Sequence, residues 1–376
     1  MCRRPILTEG DLTLDTAPHS STAKPTAGHG AGHGAERRGR HAGPAIYAAL
    51  DLGSNNCRLL VAKPVAPGFR VIDAFSRIVR LGEGVAESGR LSDEAVARTL
   101  SALRICAGKL RRRGVARFRG VATEACRLAE NCDAFLARAE AETGLELEII
   151  SDREEAALAF DSCTPLLEAT ASHALLFDIG GCSTELIWVR LADGAAPLLD
   201  DWTSLPCGVV SLAERHGGDR ITAPTYGAMV AHAENLMAPF IAGLGIAGLG
   251  IADLAAGGAV QLLGTSGTVT TIAGLHLGLE RYDRAQVDGF RLGFDDVRRQ
   301  IDRLLAMNLE QRAAEPCIGA GRGDVVVAGC AILEAILRAC PVPIVHVADR
   351  GLREGMLLGM MRADDLAPDL VPDLAP

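Results

Sequence analysis

One short pattern occurs twice in this chain, 127 residues apart, and it constrains the fold more than any other feature. Each copy is an apolar run, an Asp, a glycine-rich turn and a second apolar run, which predicts a strand, a tight turn and a strand. Glycine lets such a turn gather backbone N–H groups into a nest that suits phosphate oxygens. The two copies predict a phosphate clamp; they are Asp51-Leu-Gly53-Ser54-Asn55-Asn56 and Asp178-Ile-Gly180-Gly181-Cys182-Ser183.

The composition fits a globular protein of two domains. The chain has 376 residues, of which 48% are hydrophobic and 23% charged, so each domain can bury a core of its own. The formal net charge of −9 argues against nucleic-acid binding, which leaves a basic footprint. A polyanionic substrate would therefore need a cleft that is basic locally.

The cysteines and the two ends of the chain give weaker indications. Eleven cysteines stand singly with no CxxC pair, which is typical of reduced thiols and predicts a cytoplasmic protein. Residues 1–44 are rich in glycine and histidine and lack the apolar core of a secretory signal, so we expect a disordered tail rather than a metal site. Residues 363–376 repeat Asp-Leu-x-Pro and are also expected to be disordered.

One stretch imitates two features that we do not expect the protein to have. Between Met237 and Val260 the only charge is Asp253, but Pro239 and several glycines interrupt the run. We therefore predict soluble core and loop, and no membrane span. The same stretch contains a formal GxGxxG from Gly243 to Gly248, and no clean strand precedes it, as a dinucleotide site requires.

The remaining patterns alternate strands with helices, which predicts α/β layers. Ser92 is placed to cap a helix that continues to about Arg113, and Ser151 to cap a second helix. We expect a first lobe over 45–168, a second lobe over 169–348 and a final helix over 349–362 that packs back on the first lobe.

Six motifs in order resemble those of the exopolyphosphatase / guanosine pentaphosphate phosphohydrolase family. Together they span about Ile46 to Met361, so the resemblance covers everything except the two tails. The motifs are Asp51-Leu-Gly-Ser-Asn55, Ala122-Thr-Glu-Ala-Cys-Arg127, Ile150-Ser-Asp-Arg-Glu-Glu-Ala156, Asp178-Ile-Gly-Gly-Cys-Ser-Thr-Glu185, Gly264-Thr-Ser-Gly-Thr268 and Asp349-Arg-Gly-Leu-Arg-Glu354.

The resemblance implies an α/β fold of two ribonuclease-H-like lobes, as in the actin-like ATPase and sugar kinase superfamily, with the site in the interlobe cleft. It implies hydrolysis of a terminal phosphoanhydride with Mg²⁺, on inorganic polyphosphate or on guanosine pentaphosphate. The chain resembles the short, two-domain members, among which homodimers are common. An actin-like regulator that binds nucleotide or phosphate without turnover is the alternative from a different class.

The resemblance also implies roles for individual residues. Glu155 is the expected general base, with Glu154 as the alternative and Arg127 paired with substrate phosphate. Asp51, Asp178 and Glu185 are expected to bind Mg²⁺, whose preferred ligands are oxygens. The expected phosphate ligands of the two turns are Ser54, Asn55, Asn56, Gly180, Gly181, Ser183 and Thr184. At a helix N-terminus, Thr265, Ser266 and Gly267 are expected either to form a third phosphate-binding nest or only to cap that helix.

The chain departs from the family pattern in both turns. Cys182 stands where the family usually has a third glycine, and Asn56 replaces a commoner serine. A side chain at 182 cannot freely adopt a positive φ, so we expect a change that is tolerated but able to weaken phosphate binding or make activity sensitive to oxidation. Asn56 keeps a hydrogen-bonding group and is expected to preserve function.

Overall fold

A computed structural model describes residues 45–366 except 67, 193, 219–220, 247 and 365. The predicted tail over 1–44 lies outside the described residues. The elements of the first half, in chain order, are β1 (Tyr47–Leu52), β2 (Asn56–Pro64), β3 (Phe69–Ile78), α1 (Val85–Ser88), α2 (Asp93–Arg113), β4 (Arg117–Ala122), α3 (Glu124–Leu128), α4 (Cys132–Thr143), β5 (Glu148–Ile149) and α5 (Asp152–Cys163).

The second half begins after a short 3-10 turn, Thr164–Leu166. Its elements are β6 (His173–Ile179), β7 (Thr184–Arg190), β8 (Leu198–Leu205), α6 (Val209–His216), α7 (Ala223–Gly243), β9 (Gly245–Ile246), β10 (Leu249–Gly250), α8 (Ile251–Ala256), β11 (Val260–Thr265), α9 (Gly267–His276), α10 (Arg284–Val287), β12 (Arg291–Gly293), α11 (Phe294–Leu305), α12 (Leu309–Ala314), α13 (Val326–Ala339), β13 (Ile344–Val347) and α14 (Leu352–Ala363).

Each half of the chain forms its own sheet, and the two sheets share one topology. The first sheet has the order β3-β2-β1-β4-β5, and the second has β12-β13-β11-β6-β7-β8. In each, three antiparallel strands are followed by two parallel ones, with β12 as an extra antiparallel edge in the second. The two glycine-rich turns join β1 to β2 and β6 to β7, so they occupy equivalent positions in duplicated lobes.

Helix α2 illustrates how the sequence pattern becomes core. Its N-cap is Ser92, whose hydroxyl accepts a hydrogen bond from the N–H of Ala95, and Gly114 ends it in a left-handed conformation with φ of 62°. Its apolar face, including Leu100, Leu103 and Cys106, is buried against the first sheet. The helix predicted from Ser92 to about Arg113 is confirmed.

Two helices, α5 and α14, pack between the two lobes. Helix α5 follows the first sheet in sequence, yet its Ala159 and Phe160 pack against the second sheet. Helix α14 follows the second sheet, yet its Met356 and Leu357 pack against β1 and β2. Helix α5 therefore contacts both lobes, because its Leu158 joins the core on the first sheet while Ala159 and Phe160 join the core on the second.

The crossing helices touch at a glycine. A Cβ on Gly355 would lie 2.4 Å from the carbonyl oxygen of Leu158, so only glycine lets α14 approach α5 this closely. Beyond α14, the carboxylate of Asp364 accepts a hydrogen bond of 2.6 Å from the Tyr47 hydroxyl. The start of the predicted C-terminal tail is thus part of the folded structure, whereas 367–376 lie outside the described residues.

The stretch that imitates a membrane span is divided among several elements. Helix α7 includes Pro239 and ends at Gly243, and the short hairpin of β9 and β10 and helix α8 follow. Within the described residues, no helix is long and apolar enough to cross a membrane. The GxGxxG begins at a helix end rather than after a strand, so it lacks the geometry of a dinucleotide site.

Candidate active site

The first glycine-rich turn offers free N–H groups and polar side chains to the cleft. It is closed by a hydrogen bond of 2.9 Å from the N–H of Gly53 to the carbonyl of Asn56. Among the described residues, the N–H groups of Ser54 and Asn55 donate to no protein group. The side-chain oxygen Oδ1 of Asn55 is buried and has no partner there, and an unpaired buried acceptor of this kind is costly unless a ligand or water satisfies it.

The second turn has the same closure and a different support. The N–H of Gly180 donates to the carbonyl of Ser183 at 2.9 Å. The first N–H groups of α6, from Val209 and Val210, donate to the carbonyls of Gly180 and Gly181 at 3.0 and 2.7 Å. Because the carbonyls are held from behind, the turn can present its N–H groups to the cleft.

The two turns touch each other across the cleft. A Cβ on Gly181 would lie 2.9 Å from Cβ of Ser54 and 3.0 Å from the N of Asn55. Cys182 points away from the cavity, with Sγ packed against Gly82, and burial raises the pKa of its thiol to about 11. In the described chain the non-glycine residues with positive φ are Arg80 and Ser266, so Cys182 carries no such strain.

A third nest lies where β11 leads into α9. The N-cap Ser266 has φ 93° and ψ 174°, a conformation used almost only by glycine and costing about 1–3 kcal/mol. Its Oγ is buried without a partner in the described residues. The adjacent Gly267 opens the helix, where N–H groups and the helix dipole favour an anion. Thr265 also lines the cavity, but its hydroxyl donates to the carbonyl of Arg350.

Two arginines that the sequence analysis missed converge on this nest. A Cβ on Gly267 would lie 3.6 Å from Nη1 of Arg322 and 3.7 Å from Nη2 of Arg58. Arg322 donates to the carbonyls of Cys317 and Ile318 at 2.7 and 3.0 Å. Burial and the nearby Arg58 lower the pKa of Arg322. Two close cations make this part of the cavity positively charged, although the protein as a whole is acidic. Such a local charge is what the sequence analysis required for a polyanionic ligand.

Of these two arginines, only Arg58 could have been identified from the sequence. Arg58 occupies the position in the first hairpin that Glu185 has in the second, and each lies directly across the ladder from the turn's Asp, which is Asp51 or Asp178. Aligning the two copies through β2 and β7 would have found it. Arg322 lies between glycines in a segment without periodicity, and no local pattern marks it.

Buried carboxylates form the other side of the cavity. Burial and the charge of Glu155 raise the pKa of Asp178 to about 7, and burial and Asp178 raise that of Glu185 to about 7. Burial also raises the pKa of Asp51, against the opposing effect of Arg58 and Arg353. Acids held this way favour a proton or a cation beside them.

Glu155 and Glu154 have different surroundings although they are neighbours. Glu155 is buried and lines the cavity, and its Oε2 accepts a hydrogen bond of 2.9 Å from Nη1 of Arg127. Burial and the charge of Glu185 raise the pKa of Glu155 well above its usual value. Glu154 instead forms an ion pair with Arg119 outside the cavity, so the geometry does not support it as the alternative base.

Most of the expected site residues meet in the cavity, and three lie elsewhere. Arg127 lies behind Glu155 and also pairs with Glu124 at 2.7 Å. Thr184 is fully buried with its hydroxyl donating to the carbonyl of Cys207 at 2.6 Å; it was predicted to bind phosphate, but strand alternation turns Glu185 to the cavity and Thr184 away. With Glu154 these are the exceptions; the cavity is lined by Asp51, Ser54, Asn55, Asn56, Glu155, Asp178, Gly180, Gly181, Ser183, Glu185, Thr265, Ser266 and Gly267.

The described residues contain no group of three or more His, Cys, Asp or Glu arranged to hold a metal ion. The donors nevertheless fit Mg²⁺ in a limited way, because this ion takes one or two carboxylates and completes its shell with water and substrate phosphate.

Duplicated lobes with three N–H nests, two arginines and a buried glutamate around one cavity define a phosphate-handling protein of actin-like fold. A model of the Ppx/GppA phosphatase family matches residues 60–364. The chain belongs to that family.

Relatives and solved structures agree with this assignment. A guanosine-5'-triphosphate,3'-diphosphate pyrophosphatase of Aeromonas salmonicida is 31% identical over 84% of this chain, which spans 59% of that relative's length. The crystal structure of an exopolyphosphatase-like protein has 31% identity and a TM-score of 0.75, covering 85% of this chain and 98% of that one. An Aquifex aeolicus member of the family has 26% identity and a TM-score of 0.69 over 85% and 99%. The expected fold class is confirmed.

Proposed function

We propose that this chain releases the terminal phosphate of inorganic polyphosphate by attack of water, with Glu155 as the general base. The observation that carries the proposal is the convergence of three N–H nests, Arg58 and Arg322 on one cavity that also contains buried Glu155. Phosphoanhydride hydrolysis needs positioning and charge stabilisation more than covalent chemistry, and these groups supply both.

The phosphate chain is bound from both lobes. Ser54 and Asn55 contact it from the first lobe, and Gly181 and Ser266 contact it from the second. The hydroxyl of Ser54 accepts a hydrogen bond of 3.2 Å from the N–H of Ala125, which leaves its own proton to donate to a phosphate oxygen. Arg58 and Arg322 offset the charge that gathers on the transferred phosphoryl group.

Glu155 activates the water. Burial and Glu185 raise its pKa while Arg127 opposes that shift, and its carboxylate lines the cavity, where it can accept a proton from the attacking water. Arg127 donates to Oε2 and to the carbonyl of Ile150, at 2.9 Å in both cases, and so fixes the carboxylate. Its role is therefore to position the base and not to contact phosphate.

Mg²⁺ is the proposed cofactor, held by Asp51, Asp178 and Glu185 together with substrate oxygens. When bound it would supply positive charge to the phosphate oxygens. These carboxylates would provide only part of the coordination shell of the ion, because Mg²⁺ prefers to complete its shell with water and substrate phosphate.

Guanosine pentaphosphate is the second candidate substrate, because curated relatives at 31% identity carry a name for that activity. The residues that line the cavity within the described chain include no aromatic side chain, on which a guanine could stack. This feature favours the inorganic chain. A regulator without turnover would not need a base held as Glu155 is.

Phosphate release with Mg²⁺ and either substrate tests the proposal. Glu155→Gln is expected to lower kcat by about 10²–10⁴-fold, whereas Glu154→Gln, the adjacent acid outside the cavity, should change kcat by less than about threefold. Release from guanosine pentaphosphate alone would replace polyphosphate as the substrate. Binding of both without release by the unmodified protein would contradict the hydrolase.

A further inference from the structure

A segment of the first lobe, residues 78–84, is tied to the first glycine-rich turn. The N–H groups of Val79 and Arg80 both donate to the carbonyl of Asn55, at 2.9 and 3.0 Å, and that of Gly82 donates to Ser54 at 2.8 Å. We call this segment the interlobe strap. With three hydrogen bonds to one turn, the strap and that turn move as one unit.

The same strap reaches the second lobe at separate points. Nη2 of Arg80 donates to Oδ1 of Asp324 at 2.9 Å and to the carbonyl of Gly321 at 3.0 Å. The side chain of Ile78 lies against Gly321, where a Cβ would come within 2.5 Å of Cδ1. At the other end, the N–H of Gly84 donates to Oε1 of Glu214 on α6 at 3.0 Å.

The residues that Arg80 contacts stand on both sides of Arg322. The guanidinium of Arg322 is fixed within the second lobe by the carbonyls of Cys317 and Ile318. It therefore moves with the second lobe, as Ser54 and Asn55 move with the strap. The contact of Arg80 with Gly321 and Asp324 sets the separation of these two phosphate-binding groups.

We infer that the Arg80–Asp324 ion pair is a latch that closes the cleft, and that Arg80 is a positioning residue for binding of the phosphate chain. With the latch engaged, the first turn and Arg322 reach the same chain. With it released, the lobes can part for substrate entry and phosphate exit. Both side chains are partly buried, at 29% and 26% exposure, so the pair is screened less than a surface pair. This inference takes its ligand, the phosphate chain, from the proposed function, and the rest of it follows from the contacts of Arg80.

Binding of inorganic tripolyphosphate to the Glu155→Gln protein tests the latch without turnover. Arg80→Gln and Asp324→Asn should each weaken binding by about tenfold, and the double variant by no more than either alone. The exchanged pair, Arg80→Asp with Asp324→Arg, should recover most of the affinity. Arg190→Gln, which breaks an ion pair of 2.9 Å with Asp200 within one hairpin, should leave it unchanged.

Coupling to Arg322 separates positioning from general loss of structure. In an Arg322→Gln background, Arg80→Gln should weaken tripolyphosphate binding by less than about threefold, since the group that it positions is gone. Full additivity of the two losses, or no recovery by the exchanged pair, would overturn the inference.

Hydrogen exchange of the ligand-free protein provides a readout that does not depend on substrate. In Arg80→Gln, peptides that cover 78–84 and 319–326 should exchange about tenfold faster, with α2 unaffected. Unchanged exchange in both peptides would contradict a latch. If the unmodified protein hydrolyses neither substrate, the proposed function fails while this result still decides the latch.

Discussion

The two glycine-rich hairpins share one backbone arrangement but differ in charge. Both close with a Gly N–H to a carbonyl three residues on, at 2.9 Å, and both place an Asp at the mouth of the turn. Across the ladder, however, Asp51 faces Arg58, while Asp178 faces Glu185. One copy therefore brings an acid and a cation to the cavity, and the other brings two acids.

Because of this difference, the two lobes contribute different charges to one cavity. In the proposed function, the first hairpin supplies positive charge to the phosphate chain through Arg58, which lies across the ladder from Asp51. The second hairpin instead concentrates carboxylates, and burial raises the pKa of both Asp178 and Glu185. The two hairpins therefore form an asymmetric clamp.

Among the residues that differ between the two hairpins, replacement of Arg58 is expected to have the largest effect. Arg58→Gln should raise KM for polyphosphate by about 10–100-fold, because a charge-assisted contact to phosphate is worth roughly 1.5–3 kcal/mol. Arg70→Gln, an exposed arginine on β3, is the matched control and should leave KM unchanged. Equal KM values for both variants would show that the first hairpin does not carry the positive side of the site.

The acids of the two hairpins should differ in their effect on stability. Asp178 has its pKa raised to about 7, so the folded state keeps a proton that the unfolded state loses between about pH 4 and 7. Stability from this group is complete below about pH 4 and is lost as the pH rises to 7. Asp178→Asn should therefore stabilise the ligand-free protein at pH 8 by roughly 1–3 kcal/mol and not at pH 4.

Asp51→Asn provides the comparison for this experiment. Arg58 opposes the rise of the pKa at both acids, whereas Arg353 opposes it only at Asp51, so replacement of Asp51 should stabilise less than that of Asp178. Urea unfolding at pH 4, 6 and 8 without Mg²⁺ measures both. A larger gain at Asp51, or a gain at Asp178 that does not depend on pH, would contradict the division of charge between the hairpins.

The sequence predicted those residues of the site that belong to a local, repeated pattern. Asp51, Asp178 and the turn glycines lie in a repeated pattern, and strand alternation brings them to one cavity. The motif placed Thr184 among the phosphate ligands, whereas the structure buries its side chain with the hydroxyl donating to the carbonyl of Cys207. Arg322 could not be found, since only tertiary packing brings it within reach of Gly267.

The sheet that α5 packs against could not be predicted from the sequence, for a similar physical reason. Both helices carry apolar faces, and periodicity predicts a buried face without naming the sheet that covers it. The resemblance placed the final helix on the first lobe, where α14 packs. Nothing indicated the complementary exchange of α5, because chain order favours the nearer sheet.

The smallest expected effect concerns Cys182, which stands in the second turn where the sequence analysis expected a glycine. Its Sγ packs against Gly82 of the interlobe strap, away from the cavity, so replacing it removes a packing contact and no phosphate ligand. Cys182→Gly should destabilise the protein by about 1 kcal/mol and change kcat by less than about twofold. Cys182→Ser serves as the control that keeps the volume.

Reactivity of the Cys182 thiol tests the same point. Since burial raises its pKa to about 11, the thiolate is scarce at neutral pH, and iodoacetamide should label it far more slowly than a free thiol. Activity should survive mild peroxide treatment for the same reason. Rapid labelling with loss of activity would mean that the lobes separate often enough to expose the contact between turn and strap, and it would restore the oxidation-sensitive role that the sequence suggested for this cysteine.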